Sequence, residues 1–308
     1  MWFIQHITYE NTRKVSRLWQ TLWSKWREDA IEHRSLNTPL GATAILESEV
    51  KQVIIVLLEC NDEHAEQLFV SARDIRNTNM GKTIHLRAAI DVSNVCRMNC
   101  AYCPMRRDNL RRSLINRATA NQITTTAEEV YNAGFRHLFI QSGEDAAIVG
   151  TVADAIRSIL AAHYDWDVTL NMGNLNYGHY QILREAGARR YLIKHETANP
   201  KLHEMYRGET LANRVQHMLL AREAGFDIGS GNILGLPNQS NEDLADDIIL
   251  LGRLDCSSMV SCSPFTPSQE LPVPFRTHPP GDPKKRLNTK FVRLKIAFCA
   301  ILEPLKLT

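Results

Sequence analysis

The chain has 308 residues, 44% hydrophobic and 23% charged, with a net charge of +2. This is an ordinary globular composition, enough for one barrel-sized core, and too weakly basic for wholesale nucleic-acid binding. No apolar run approaches the ~18 residues of a membrane span, and MWFIQHITYENTRKVSRLWQ lacks the parts of a secretory signal, so an odd count of seven cysteines points to a reducing, cytoplasmic setting.

Residues 1–40 stand apart as a tryptophan-rich extension, with Trp2 followed by Trp19, Trp23 and Trp26 at helical spacing. Such a stripe packs on a main body or docks a partner, and packing is the plainer reading. Asn37-Thr-Pro-Leu-Gly41 reads as a linker, and 41–83 as a helical segment against the barrel, with a break near Cys60. From residue 84 to 308 the pattern changes to alternating strands and helices. Strands are expected at Ile84–Asp91, His137–Gln141, Asp167–Asn171, Arg190–His195, Ile228–Leu234 and Ser258–Ser263. Helices are expected at Thr124–Ala133, Val149–His163, Tyr177–Ala186, Leu211–Ala224, Asn241–Leu254 and Lys284–Leu302.

Six strand–helix units in alternation predict an α/β fold, a partial (β/α) barrel with a parallel sheet and right-handed crossovers. No G-x-G-x-x-G follows the first strand, which removes support for a dinucleotide fold. The chemically informative residues fall just past strand C-termini, the edge that carries active sites in such barrels. They are the cysteine loop, Ser142-Gly-Glu-Asp145, His195-Glu-Thr197, Gly231-Asn-Ile-Leu-Gly235 and Pro264-Phe-Thr-Pro267.

The cysteine loop is CRMNCAYC, with Cys96, Cys100 and Cys103 spaced C-x3-C-x2-C. A closed zinc site needs four ligands, yet the next cysteine is Cys256 and no histidine follows in the loop. Electron-transfer 4Fe-4S clusters also take four cysteines. Three suit a 4Fe-4S cube with one iron left open for another ligand, much as catalytic zinc keeps an open position. Cys60, Cys256, Cys262 and Cys299 read as small core residues.

This loop resembles that of the radical SAM superfamily. Together with Gln141-Ser-Gly-Glu-Asp145, Tyr191-Leu-Ile-Lys-His-Glu-Thr197 and the Leu236-Pro turn, it resembles the branch of the FeFe-hydrogenase maturase of HydE type and methylornithine synthase, with biotin synthase as neighbour. The resemblance covers roughly residues 45–305. It implies a 4Fe-4S cluster on Cys96, Cys100 and Cys103, whose open iron binds S-adenosylmethionine (SAM). One electron then cleaves the sulfonium to give methionine and a 5′-deoxyadenosyl radical, which takes hydrogen from a small amino-acid-like substrate.

The same resemblance implies that Gly143 and Glu144 hold the methionine amino group and that Glu196 lies by the ribose and sulfonium. Arg214 would meet the SAM carboxylate through two parallel hydrogen bonds, with Lys194 secondary. Gly231, Ile233 and Gly235 would flank the adenine, and Tyr102 the cluster.

The sequence departs from the branch in having Lys194 where arginine is common, in ending where a seventh strand would begin, and in its first 40 residues. Two other readings stay open, a biotin-synthase-like sulfur insertion and a shortened cluster-binding scaffold. Arg106, Arg107, Arg111, Arg112 and Arg117 read either as a solvated loop or as a landing patch for a flavodoxin or ferredoxin that supplies the electron.

Overall fold

The computed structural model describes residues 41–272, apart from short stretches at 60–65, 67–68, 71, 75, 79–80, 84–85, 110–114, 257–259 and 269–270. The expectations for the four N-terminal tryptophans, for the helix at 284–302, and for Cys60, Cys299, Arg111 and Arg112 lie outside the described residues.

Six strands form one parallel sheet in chain order: β1 (Ala88–Ser93), β2 (His137–Ser142), β3 (Asp167–Asn171), β4 (Arg190–Leu192), β5 (Asp227–Leu234) and β6 (Val260–Pro264). The helices between them are α2 (Ala120–Asn132), α3 (Val149–Ala162), α4 (Tyr177–Glu185), α5 (Pro200–Arg207), α6 (Leu211–Glu223) and α7 (Asn241–Arg253), preceded by α1 (Gly41–Glu59). This is the half-barrel that the strand–helix alternation predicts. Among the described residues no helix is long and apolar enough to cross a membrane.

The main core lies between the sheet and its helices. Ile90, Val92, Leu138, Ile140, Val168, Leu170, Tyr191 and Ile228 meet apolar faces of α2, α3, α4, α6 and α7 there, and α1 adds Val50, Val53, Ile54, Leu57 and Leu58. Two ion pairs fix α1 against α7, Lys51 to Asp246 at 2.7 Å and Arg253 to Glu47. Strand residues of the other parity, such as Asp91, Gln141 and Asn171, are absent from that core and carry the polar character of the inner face.

Two boundaries differ from those read in the sequence for reasons the structure shows. Helix α2 starts four residues earlier, because Thr119 rather than a later threonine is the N-cap, closing a capping box with Gln122. Strand β4 is shorter than expected because the Ser230 hydroxyl enters the ladder: it donates to the Ile193 carbonyl at 2.8 Å and accepts from the His195 amide. The ladder resumes at Glu196, whose amide donates to the Gly231 carbonyl at 3.0 Å.

Helix α5 was not expected from the sequence at all. It has an Asn199 N-cap, Pro200 in the first turn and Gly208 at φ 78° just past its end, the usual Pro-first, Gly-last arrangement.

Candidate functional site

All the loops that leave strand C-termini gather at one edge of the sheet. The cysteine loop follows β1 and is seated by backbone contacts to two neighbours. The Arg97 amide donates to the Glu144 carbonyl at 3.1 Å, and the Ala101 amide to the Tyr206 carbonyl of α5 at 2.7 Å. A second, smaller core lies beneath it, made by Leu202, Tyr206, Ile233, Leu236, Phe265 and Leu271, against which Ala101 and Tyr102 pack.

None of the three cysteines is in a disulfide; Cys100 is buried and Cys96 and Cys103 are partly exposed. Burial pushes the Cys103 thiol up to about 12, and raises that of Cys100 despite the nearby Arg207 guanidinium. Uncharged thiols in so dry a loop become thiolates when a cation binds them. Among the described residues no three His, Cys, Asp or Glu side chains converge on a single-ion site. A four-iron cube gives each thiolate its own iron, so its sulfurs need not converge on one point. Soft thiolates around a space that also holds the buried, unpartnered Tyr102 hydroxyl fit such a cluster.

Glu144 is the hub of the site. It leaves β2, is 4% exposed, and its amide donates to the Cys96 sulfur at 3.3 Å. Its Oε2 accepts from Arg207 Nη2 at 2.8 Å and from the Asn174 amide at 2.9 Å, with Arg214 Nη1 at 3.5 Å. Its Oε1 pairs with Arg97 at 2.6 Å. Arg97 keeps a 60% exposed side chain, so that contact is the weakly held one.

Two glycines make room for this arrangement. A Cβ on Gly143 would lie 2.1 Å from the Val95 carbonyl oxygen, and one on Gly173 would lie 2.5 Å from the Glu144 carboxylate.

Arg214, on α6, is 3% exposed. Nε donates to the Lys194 carbonyl at 2.9 Å and Nη1 to Asn174 Oδ1 at 2.5 Å. That leaves Nη2 as the donor without a partner among the described residues.

Lys194 reaches Glu196 Oε2 at 3.2 Å and the Ser263 hydroxyl at 3.5 Å. Glu196 holds φ 65°, a left-handed conformation unusual for a side chain of its size. Bonds on both sides to β5 fix it there, the second from the Ile233 amide to the Glu196 carbonyl at 2.8 Å. Burial works against its charge, yet Lys194, Arg214 and Arg207 together hold its carboxyl below the usual carboxylate range.

The structure therefore gathers Cys96, Cys100, Cys103, Tyr102, Gly143, Glu144, Lys194, Glu196 and Arg214 at one edge. Gly231, Ile233 and Gly235 line the end of β5. A Cβ on Gly231 would strike the Ser261 carbonyl oxygen at 1.8 Å, and Gly235 turns the chain at φ 87°. The Ile233 side chain packs in the smaller core.

The arginine patch is less open than the sequence suggests. Arg107 pairs with Asp108 at 2.8 Å, and Arg117 clamps the buried Asp145 carboxylate at 2.6 Å.

Three site residues escaped the sequence reading: Asn174, Arg207 and Glu209. Asn174 sits just past β3, so scanning every strand end on this edge would have found it. Arg207 and Glu209 follow from α5, whose Asn-Pro start and Gly208 end were legible signals.

His203, on α5, offers a separable test of burial. Its Nδ1 is 2.8 Å from the His195 carbonyl, and burial, with Arg214 and Arg207, pushes its imidazole down to about 4. An unfolded histidine titrates near ~6.5, so between that pH and about 4 the unfolded chain holds a proton that the folded chain refuses. The associated stability is complete above ~6.5 and is lost as pH falls towards 4. His203→Gln is expected to lose about 2 kcal/mol less than wild type between pH 7 and 5, read from urea midpoints. Equal losses would show that His203 takes up its proton in the folded chain.

Comparison with known proteins fits this edge. Residues 90–251 match the radical SAM superfamily. Over 228 residues the chain is 38% identical to the [FeFe] hydrogenase maturase subunit HydE of Thermotoga maritima, covering 72% of this chain and 64% of that one. It is 25% identical over 229 residues to a biotin synthase of Streptomyces coelicolor, covering 73% of this chain and 56% of that one. The crystal structure of methylornithine synthase (PylB) superposes with a TM-score of 0.71 at 20% identity, covering 81% of this chain and 73% of that one. The chain thus spans less than two thirds of the length of either curated relative.

Proposed function

Because the chain belongs to the radical SAM superfamily, we propose that it binds a 4Fe-4S cluster on Cys96, Cys100 and Cys103 and cleaves SAM to act on a small amino-acid-like substrate. Bound there, the cluster would supply the single electron needed for reductive cleavage of the SAM sulfonium, the chemistry from which hydrogen abstraction would start. The remaining work falls to the chain's own residues.

Arg97 is the exposed partner on Glu144, and its withdrawal would free Oε1 to accept from the SAM ammonium while Arg207 keeps Oε2 in place. Arg214 is pinned through Nε and Nη1, which aims Nη2 outward at the SAM carboxylate. Glu196 offers an ionised carboxylate beside the ribose, and the turn at Gly235 just past β5 would take the adenine, while Gly231 lets β6 close on β5 behind it. Lys194 neutralises Glu196 and lies towards the inner face, where the substrate would sit.

The observation that carries this reading is the contact between the cysteine loop and Glu144, whose amide lies 3.3 Å from the Cys96 sulfur. That contact supports reading Glu144 as the SAM-binding acid next to a cluster ligand.

Sulfur insertion of the biotin-synthase kind is the weaker reading. It calls for further cysteines on the inner face, whereas Cys262 is buried within the main core and no cysteine lies between Cys103 and Cys256. A flavodoxin or ferredoxin remains the proposed electron donor, although Arg117 is committed to Asp145.

Anaerobic reconstitution with iron and sulfide, then reduction in the presence of SAM, should yield 5′-deoxyadenosine and methionine in equal amounts. A reconstituted, reducible cluster that leaves SAM intact would reduce the chain to a binding scaffold.

A further inference from the structure

Arg207 would not touch SAM itself and only steadies Glu144 in the contacts proposed above, yet it is among the most constrained side chains at the site. It is 6% exposed and all three guanidinium nitrogens are occupied. Nε donates to Glu209 Oε1 at 2.5 Å, Nη2 to Glu144 Oε2 at 2.8 Å and Nη1 to the Cys100 sulfur at 3.1 Å. The carboxylates on two nitrogens fix the plane of the fork, so the third is aimed at sulfur and cannot swing away. Cys100 is itself only 4% exposed, which keeps water from competing for the bond.

We infer that Arg207 raises the reduction potential of the cluster by donating a fixed hydrogen bond to the Cys100 sulfur. The inference rests on the cluster assignment made above. Adding one electron to an iron–sulfur cube increases the negative charge carried by its thiolates. A donor already pointed at one of them stabilises the reduced form more than the oxidised form, and hydrogen bonds to sulfur are among the protein's levers on such potentials.

Glu144 and Glu209 largely offset the guanidinium's charge at longer range. The effect therefore belongs to the directed N–H···S bond, and a lysine, which keeps the charge and loses the fork, should not reproduce it. A cluster that is easier to reduce is within reach of a one-electron donor such as a flavodoxin or ferredoxin.

The test is an EPR-monitored redox titration of the reconstituted protein without SAM, comparing wild type with Arg207→Gln and Arg207→Lys. At a fixed solution potential, the Gln variant should show an oxidised-to-reduced ratio about tenfold higher, equivalent to about 59 mV for a one-electron couple. The Lys variant should shift in the same direction. Iron content and thermal midpoint establish that each variant is loaded and folded. A loaded, folded variant with the wild-type potential overturns the inference.

A second measurement needs no variant. The reduced wild-type cluster should couple to an exchangeable proton that disappears in deuterium oxide, and absence of that coupling overturns the inference as well. Failure of wild type to take up a cluster would sink the cluster assignment and the inference together. An intact cluster with an unmoved potential sinks the inference alone.

Discussion

Replacing Cys100 by serine is expected to abolish cluster binding and, with it, all SAM cleavage. Serine supplies a hard oxygen in place of a soft thiolate, and its hydroxyl stays protonated in a loop dry enough to raise even the thiols. Cys96 and Cys103 should behave alike, because a cube held by three ligands has no spare one. Loss of iron, sulfide and the broad visible absorbance in each single variant is the measurement. A triple variant that still binds about four irons would remove the cysteines from the site.

The second large effect concerns the methionine end of SAM. Arg214→Lys should weaken SAM binding by about 2–5 kcal/mol, some tens to thousands-fold in Kd. Nε and Nη1 of Arg214 hold the Lys194 carbonyl and Asn174, which leaves Nη2 for the proposed ligand. A lysine has one nitrogen for these three tasks, so either the anchor or the ligand contact is lost. Lys194→Arg should change affinity little, because its head group meets Glu196 and Ser263. Isothermal titration into reconstituted protein decides between the two cations. Wild-type affinity in Arg214→Lys together with lost affinity in Lys194→Ala would assign the carboxylate to Lys194.

Much of this was legible in the sequence. Apolar periodicity placed all six strands, because strands covered on their helix-facing side read as short apolar runs, and the C-x3-C-x2-C spacing located the cysteine loop. Sequence cannot show which partners a buried charge meets. Arg214 read as a free fork with two bonds to give, yet two of its three nitrogens are spoken for inside the protein. Arg117 read as one of five surface arginines, yet it closes on Asp145 from 28 positions away. Helix α5 was missed for a different reason: at eight residues it is too short for its periodicity to stand out. Its caps, Asn199 and Gly208, carried the signal.

That short helix also has a bearing on assembly. Its last turn grips the cysteine loop through the Tyr206 carbonyl and Arg207, while the Tyr206 hydroxyl holds the Pro237 carbonyl at 2.8 Å, beyond the strand assigned to adenine. If cluster and SAM bind as proposed, α5 touches both sides of the site, and thermodynamic reciprocity fixes the size of any exchange between them. Whatever factor the cluster adds to the affinity for SAM, SAM adds to the affinity for the cluster. On the proposed function, cofactor and co-substrate would then guard one another, and the cluster would be most easily shed by a chain that has just released its products.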